Sequence, residues 1–420
     1  MRRSRVARLP ILLAASLAFA LGGCGGGDDE ETGATGGDTT AASGSITVWA
    51  MGAEGEKLDV LAKDFMQTNP EISVKVTPIA WDVAHDKLIT AVAGNKTPDV
   101  SQMGTTWMGE FAKTGALEEV PGSIDQGAFF ESAKETGVVD GGTFGVPWYV
   151  ETRVLYYRTD IAKKAGITKP PENWDELKEM ARAMKEKGGA KYGIALSPNN
   201  WQELLPFVWQ NGGEVISEDG TPNFESPEVV EAIEYYKSFF EDGLTAESVP
   251  EGFDVTQGFV AGTHPMFFSG PWHMSLIEEQ GGAKLKGKWD VALMPKEESG
   301  TSFVGGSDLV VFKGSGNKDA AWKFVEYLLQ PQVQQKWYTT VSALPSVESA
   351  WDSGPLASDE NLSLFGDQLR DAKTPPTIPK WEQIASEAIN AEMEKAMVGG
   401  ASAEAAAKAM QAKASSIGTT

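Results

Sequence analysis

Cysteine occurs once in the 420 residues, at Cys24, and histidine three times, at His85, His264 and His273. So few ligating and basic side chains exclude most metal centres and most nucleophile–histidine designs. The G-x-S-x-G elbow of many hydrolases is also missing. One cysteine cannot build a disulfide framework, so stability has to come from the size of the core. Positive charge is scarce too. Against 59 Asp and Glu stand 36 Lys and Arg, a net charge of −23, which excludes the basic footprint of a nucleic-acid binder. No fixed-period repeat runs through the chain, which excludes a solenoid.

What is present begins with a leader. Arg2, Arg3, Arg5 and Arg8 precede the apolar run "LPILLAASLAFALGG". That run is too short to cross a bilayer and lacks a stop-transfer pattern, so residues 1–23 read as a secretory signal. "LGGC" resembles the bacterial lipobox, in which the signal is cut before a cysteine that takes lipid. Cys24 is therefore the expected lipid-attachment residue, anchoring the exported chain at the outer face of the cytoplasmic membrane. Residues 24–44, rich in Gly, Thr and acid, cannot bury enough surface to fold and read as a flexible tether. About 375 residues follow, a length suited to two domains rather than one core. A hydrophobic content of 41% with 13 Trp indicates a globular protein with aromatic side chains to spare.

Along the folded part, "SITVWA", "EISVKVTPI" and "TPDVSQM" read as strands. Between them, "LDVLAKDFMQTN" spaces Leu58, Leu61, Ala62 and Phe65 at helical intervals, and "WDVAHDKLITAVAGNK" reads as a second helix. This alternation predicts a parallel sheet with helical crossovers, and ligands then sit beyond the carboxyl ends of the strands. The loops to watch are "MGAEGEK" and "GTTWMGE". Further on, helices are expected at "NWDELKEMARAMKEKG", with Asn173 as N-cap, and at "WQELLPFVWQNGG" and "SPEVVEAIEYYKSFFEDG". One long helix is expected over "DAAWKFVEYLLQPQVQQKWYTT", and Ala- and Glu-rich helices over "EQIASEAINAEMEKAM" and "SAEAAAKAMQAKAS". "KYGIAL", "WDVALMP" and "GGSDLVVFK" read as strands. The fold class is α/β.

The order of these landmarks is more telling than any of them alone. A lipobox leader is followed by "TVWAMGAEGEKLDVLAKDFMQTNPEISVKV", "TPDV", "GVPWYVETRVLYYRTD", "SGPW" and "SFVGGSDLVVF". The series resembles the extracellular solute-binding proteins of bacterial ABC importers, in the carbohydrate group that includes maltose-binding protein, over essentially all of the chain after Ile46. The resemblance implies a two-lobed periplasmic-binding-protein fold of type II character, with the ligand cleft between lobes joined by a multi-segment hinge. It implies a first lobe of residues 45–150 and 302–345 and a second of 151–301 and 346–420. The expected crossings lie near Trp148–Thr152, Thr301–Phe303 and Leu344–Val347. It also implies a membrane permease of ABC type as partner, a monomer, no cofactor and no metal.

A sugar presents C–H faces and hydroxyls, so its pocket needs flat rings with a few fixed polar groups. Trp272 stands at a Gly-Pro turn before a helix, and the resemblance places it in the cleft as a stacking platform. Free N–H groups of the helix start are expected beside it. Glu151 matches an acidic residue that contacts sugar in the maltose-binding member; its bland reading is an ion pair with Arg153. Trp148 and Tyr149 are expected at the cleft edge, and Asn200, Trp201 and Gln202 near another aromatic position. Gly305 and Gly306 would let backbone approach the ligand, with Ser307 and Asp308 adding polar groups. In the first lobe the maltose-binding pattern is broken. Its Asp-Lys pair falls on Ala53 and Glu54, and its Asp-Arg pair on Thr106 and Trp107, so maltose specificity does not carry over. Trp107 and Trp81 are candidate second platforms, each with a packing role as the alternative. Other readings are a polyamine or glycerol phosphate cargo, or an exported glycosidase, which would need two carboxylates set across a scissile bond.

Overall fold

The computed structural model describes residues 42–248 and 254–420. The signal segment 1–23, Cys24 and nearly all of the tether 24–44 lie outside the described residues.

Gly44–Met51 opens the larger sheet with period-two burial: Ile46, Val48 and Ala50 point into the core, while Ser45 and Thr47 face water. Ile72–Ile79 and Val100–Gly104 flank it in parallel, as the strand–helix alternation requires. Helix Asp59–Thr68 buries Leu61, Ala62 and Phe65, and Leu58 before it is also sealed. The sheet then departs from all-parallel. Ser302–Val311 enters antiparallel beside Val100–Gly104, and Val146–Thr152 pairs antiparallel on its other side. Leu344–Pro345 completes that edge.

A second sheet has three antiparallel strands, with Val154–Tyr157 between Met266–Ser269 and Asp290–Ala292. Around it lie helices Trp174–Glu186, Trp201–Gln210, Pro227–Glu241 and Ala403–Ile417, whose apolar faces share one large core with Ile194, Phe224 and Met266. The architecture is a two-lobed α/β fold. Asn173 caps its helix as expected, accepting from the Glu176 N–H at 2.9 Å.

Four local expectations are corrected. "MGAEGEK" is not a loop but helix Gly52–Lys57. Gly52 enters it at φ +55°, and Gly55 lets it sit directly on the Ala50 carbonyl, where a Cβ would collide. "KYGIAL" forms no strand, only a bridge from Ala195 to Phe267. Its backbone is committed to loops, with Tyr192 donating to Thr263 and both Gly193 and Ile194 to Leu244. The long helix divides into Lys318–Leu328 and Pro331–Val341, because Pro331 cannot donate and starts a new helix instead. Finally, the Ala- and Glu-rich run near the C-terminus carries a π-helical stretch, Ile384–Asn390. Its wider turns bury Ile384, Ala385, Ala388 and Ile389 and bring Asn390 Oδ1 to the Trp201 N–H at 2.9 Å.

Asp308 is also misread from sequence. It is fully buried, at a register shift between Ser307 and Asp308. Thr136 Oγ1 donates to its Oδ1 at 2.9 Å, and Oδ2 has no hydrogen-bond partner among the described residues. Burial pushes its carboxyl up to about 7 from 3.8. The folded state therefore holds this proton more tightly than the unfolded chain. The stabilisation is complete below about pH 4 and is lost as pH rises to about 7. Replacing Asp308 by Asn should remove that slope, so the variant gains stability relative to the parent between pH 5 and pH 8. Denaturant unfolding at the two pH values checks this; an unchanged difference would refute it.

Candidate functional site

One side is built on Gly52 and Gly104, two glycines over which indoles lie. A Cβ on Gly52 would come within 2.8 Å of Trp81 Nε1, and one on Gly104 within 3.2 Å of the Trp107 ring. Trp81 and Trp107 meet edge to face at 5.5 Å, with Trp81 still 38% exposed. His85 touches the edge of Trp107 and bonds Glu110 at 2.8 Å. Thr106 sits in the same short turn, Thr105–Trp107, half-buried. A cavity of about 470 Å³ beside Trp107 is lined also by His85, Glu110, Lys380 and Gln383.

Glu54 stands next to Trp81, its Oε2 3.6 Å from the same point above Gly52. Burial raises its pKa, and the nearby Glu151 carboxylate adds to the rise. Tyr149, two residues before Glu151 in the same strand, is within electrostatic reach of both acids. Burial and then Glu54 push its phenol far upward, so it stays protonated. Below it, Gln102 Nε2 donates to Ser307 Oγ at 3.1 Å, and both donate to the Tyr149 hydroxyl at 3.4 and 3.2 Å. Gln102 Oε1 accepts from the Met51 N–H, fixing the end of the first strand. Gly305 pairs with Glu151 across the ladder, and a Cβ there would stand 3.2 Å from Glu151 Oε1. Gly306, at φ +120°, leaves no room for a side chain over the Tyr149 carbonyl.

On the other side of the Val146–Thr152 strand end, Arg153 Nη2 lies 3.3 Å from Glu151 Oε1 and 3.3 Å from Gln202 Oε1. Its guanidinium covers the Trp272 ring at 4.8 Å. Trp272 is half-buried, folded back over Gly270, whose carbonyl accepts from Tyr156 at 2.7 Å. Asn200 caps helix Trp201–Gln210, accepting from Gln202 and donating to Glu203. Glu54, Tyr149, Glu151, Gln202 and Trp272 are thus linked in one constellation, with Trp81 and Trp107 bordering it.

Other candidates fall elsewhere. Trp148 is 1% exposed and stacks on Trp337 at 5.3 Å, a core pair rather than a cleft wall. Trp201 is sealed between Phe303 and Trp381. Ser307 and Asp308 are wholly buried, the first within the polar floor and the second outside it. The N–H groups expected free at the Trp272 helix are partly spent: His273 donates to Gly270 and Met274 to Pro271. One site residue escapes the sequence reading, and another enters it only as the partner of Glu151. Gln102 lies in the middle of its strand, Val100–Gly104, and no motif marks it. Arg153 follows Glu151 by two residues, the spacing that returns to one strand face.

Gly270 generates a test. A methyl group there would enter the Trp272 ring, so Gly270→Ala should drive the indole from under Arg153. Near-UV circular dichroism should change, with a stability loss of about 1–3 kcal/mol in denaturant; a parent-like spectrum would mean the ring is not held this way.

The sequence profile described as bacterial extracellular solute-binding protein matches residues 50–335. A binding protein of Brucella abortus is 32% identical over 373 residues, covering 86% of this chain and 90% of its own. The diacetylchitobiose binding protein of Streptomyces coelicolor is 27% identical, covering 92% of each chain. Among solved structures, the sugar-binding protein MalE of Xanthomonas citri superposes with a TM-score of 0.85 at 34% identity, over 89% of this chain and 97% of its own.

Proposed function

The chain belongs to the bacterial extracellular solute-binding protein family, and from that membership we propose that it captures a di- or oligosaccharide between its lobes and delivers it to the membrane subunits of an ABC importer. The protein is a carrier and not an enzyme. Its proposed first lobe comprises residues 45–150 and 302–345, its second 151–301 and 346–420, and it works as a monomer tethered through lipid on Cys24. The empty lobes stand apart, and sugar bridges them and shifts the population closed.

One observation carries the reading: indoles from both sides, Trp81 and Trp107 on one and Trp272 on the other, border a single set of carboxylates and amides. Rings supply stacking area for pyranose C–H faces. Glu54, Glu151 and Gln202 supply acceptors and a donor for hydroxyls. A guanidinium already occupies one face of Trp272, which disfavours a cationic cargo there. It is also paired with Glu151, so a phosphate there would meet a carboxylate already in place. The similarity to a diacetylchitobiose binder and a sugar-binding protein supports the same class of cargo.

A thermal-shift screen with mono-, di- and trisaccharides, a polyamine and glycerol phosphate should give its largest shifts with neutral oligosaccharides, because ligand raises apparent stability by mass action. A shift with the polyamine or the phosphate alone would overturn the reading. Trp272→Ala should weaken binding of the best sugar at least tenfold, about 1.4 kcal/mol by calorimetry; unchanged affinity would remove the ring from the site. Cys24→Ser should leave affinity intact while moving the protein from the membrane fraction to the medium, and continued membrane retention would show that the anchor is not this cysteine.

A further inference from the structure

Arg153 is the single residue between strands Val146–Thr152 and Val154–Tyr157, where the chain leaves the larger sheet for the smaller one. Its backbone is pinned to the neighbouring strand, since Ser302 Oγ donates to the Arg153 carbonyl at 2.8 Å. Beside it, Thr152 Oγ1 donates to the Phe303 carbonyl at 2.8 Å. The two strands are thus stitched together at the point of crossing.

The head of the same residue lies in the constellation described above. Its Cζ is 4.8 Å from the Trp272 ring centre and 5.2 Å from that of Phe303. Nη2 reaches both Glu151, at the end of the larger sheet, and Gln202, on a second-lobe helix. Nη1 is dry and has no hydrogen-bond partner among the described residues. An unspent donor that is shut off from water is costly and persists only where the surroundings fix the group. Here two aromatic faces fix it. A planar, forked cation suits this task, stacking and bridging at once.

We infer that Arg153 is a positioning residue that couples the indole platform to the crossing between the lobes. The inference rests on the sugar-carrier reading and deepens it. A rotation of the backbone at 152–154, as lobe closure demands, swings this long side chain together with the Trp272 ring. It also alters the spacing of Glu151 from Gln202. The platform and the acid therefore move as one unit. In the closed arrangement the idle Nη1 gains an acceptor.

The test compares parent, Arg153→Lys, Arg153→Gln, Trp272→Ala and the Arg153→Gln/Trp272→Ala double variant. Calorimetry uses the sugar that gives the largest thermal shift, and small-angle X-ray scattering gives the radius of gyration with and without it. Arg153→Gln should bind about tenfold more weakly and contract less on sugar addition. Arg153→Lys should fail to restore either property, since an ammonium keeps the charge but loses the plane and the fork. The double variant should lose less affinity than the two single losses combined, because one residue acts through the other. Parent-like binding and contraction in Arg153→Gln, or losses that simply add, would overturn the inference. Should the parent take none of the sugars, the carrier reading fails, but the ligand-free radius still decides. A changed radius in Arg153→Gln upholds the coupling, and an unchanged one overturns it.

Discussion

The antiparallel pairing of Val146–Thr152 with Ser302–Val311 brings the larger sheet to the point where the chain leaves it for the smaller one, and the other features depend on how closely those strands lie. Where they run side by side, Gly305 and Gly306 remove two side chains from the ladder. Without that gap the Glu151 carboxylate could not lie across the neighbouring strand, nor could Tyr149 sit down onto Gln102 and Ser307. The polar floor of the site thus follows from backbone proximity. It costs the flexibility and lost packing that glycine brings to a strand.

The regions around the two sheets solve different packing problems. The first packs its helices on the larger sheet, and Trp81 and Trp107 are left over near the ends of its strands, where Gly52 and Gly104 beneath them make room. The second is mostly helical, and its large core takes in Trp201 and Trp381 completely. Trp272 differs from these. Arg153 covers one of its faces and Gly270 carries its edge, so the ring is held without being buried. A rigid ring on a supported perch loses little entropy when a ligand arrives, which makes the perch as much a part of recognition as the ring.

Periodicity made most of the scaffold readable. The spacing of Leu58, Leu61, Ala62 and Phe65 and the alternation in Gly44–Met51 specify their faces locally, so those elements form where the pattern places them. "KYGIAL" failed because β-branched and aromatic content says nothing about whether a second strand is available. "MGAEGEK" failed because its glycines read as loop breakers, whereas they allow a helix to sit hard against a strand end. Within the site, the reading of Trp148 as a cleft-edge residue and of Asp308 as a polar group for the ligand erred for one reason: residue type predicts chemistry, but the facing direction is set by register. Trp148 points to Trp337, while its neighbour Tyr149 points to the acids. Arg153 was visible only as a possible surface partner of Glu151. Its stacking on Trp272, more than a hundred positions away, is a tertiary fact that no local pattern carries.

The π-helical stretch Ile384–Asn390 has a consequence for length tolerance in the C-terminal arm. Each residue of an ordinary helix advances the side-chain direction by about 100°, so deleting one residue between Ile384 and Asn390 would restore normal pitch and re-phase everything after it. Asn390 would turn away from the Trp201 amide it now caps, and the start of the Gln202 helix would lose an acceptor. Insertions and deletions in this arm should therefore be absorbed at its loops, such as the Val398–Ser402 link, while the swollen turn keeps its residue number.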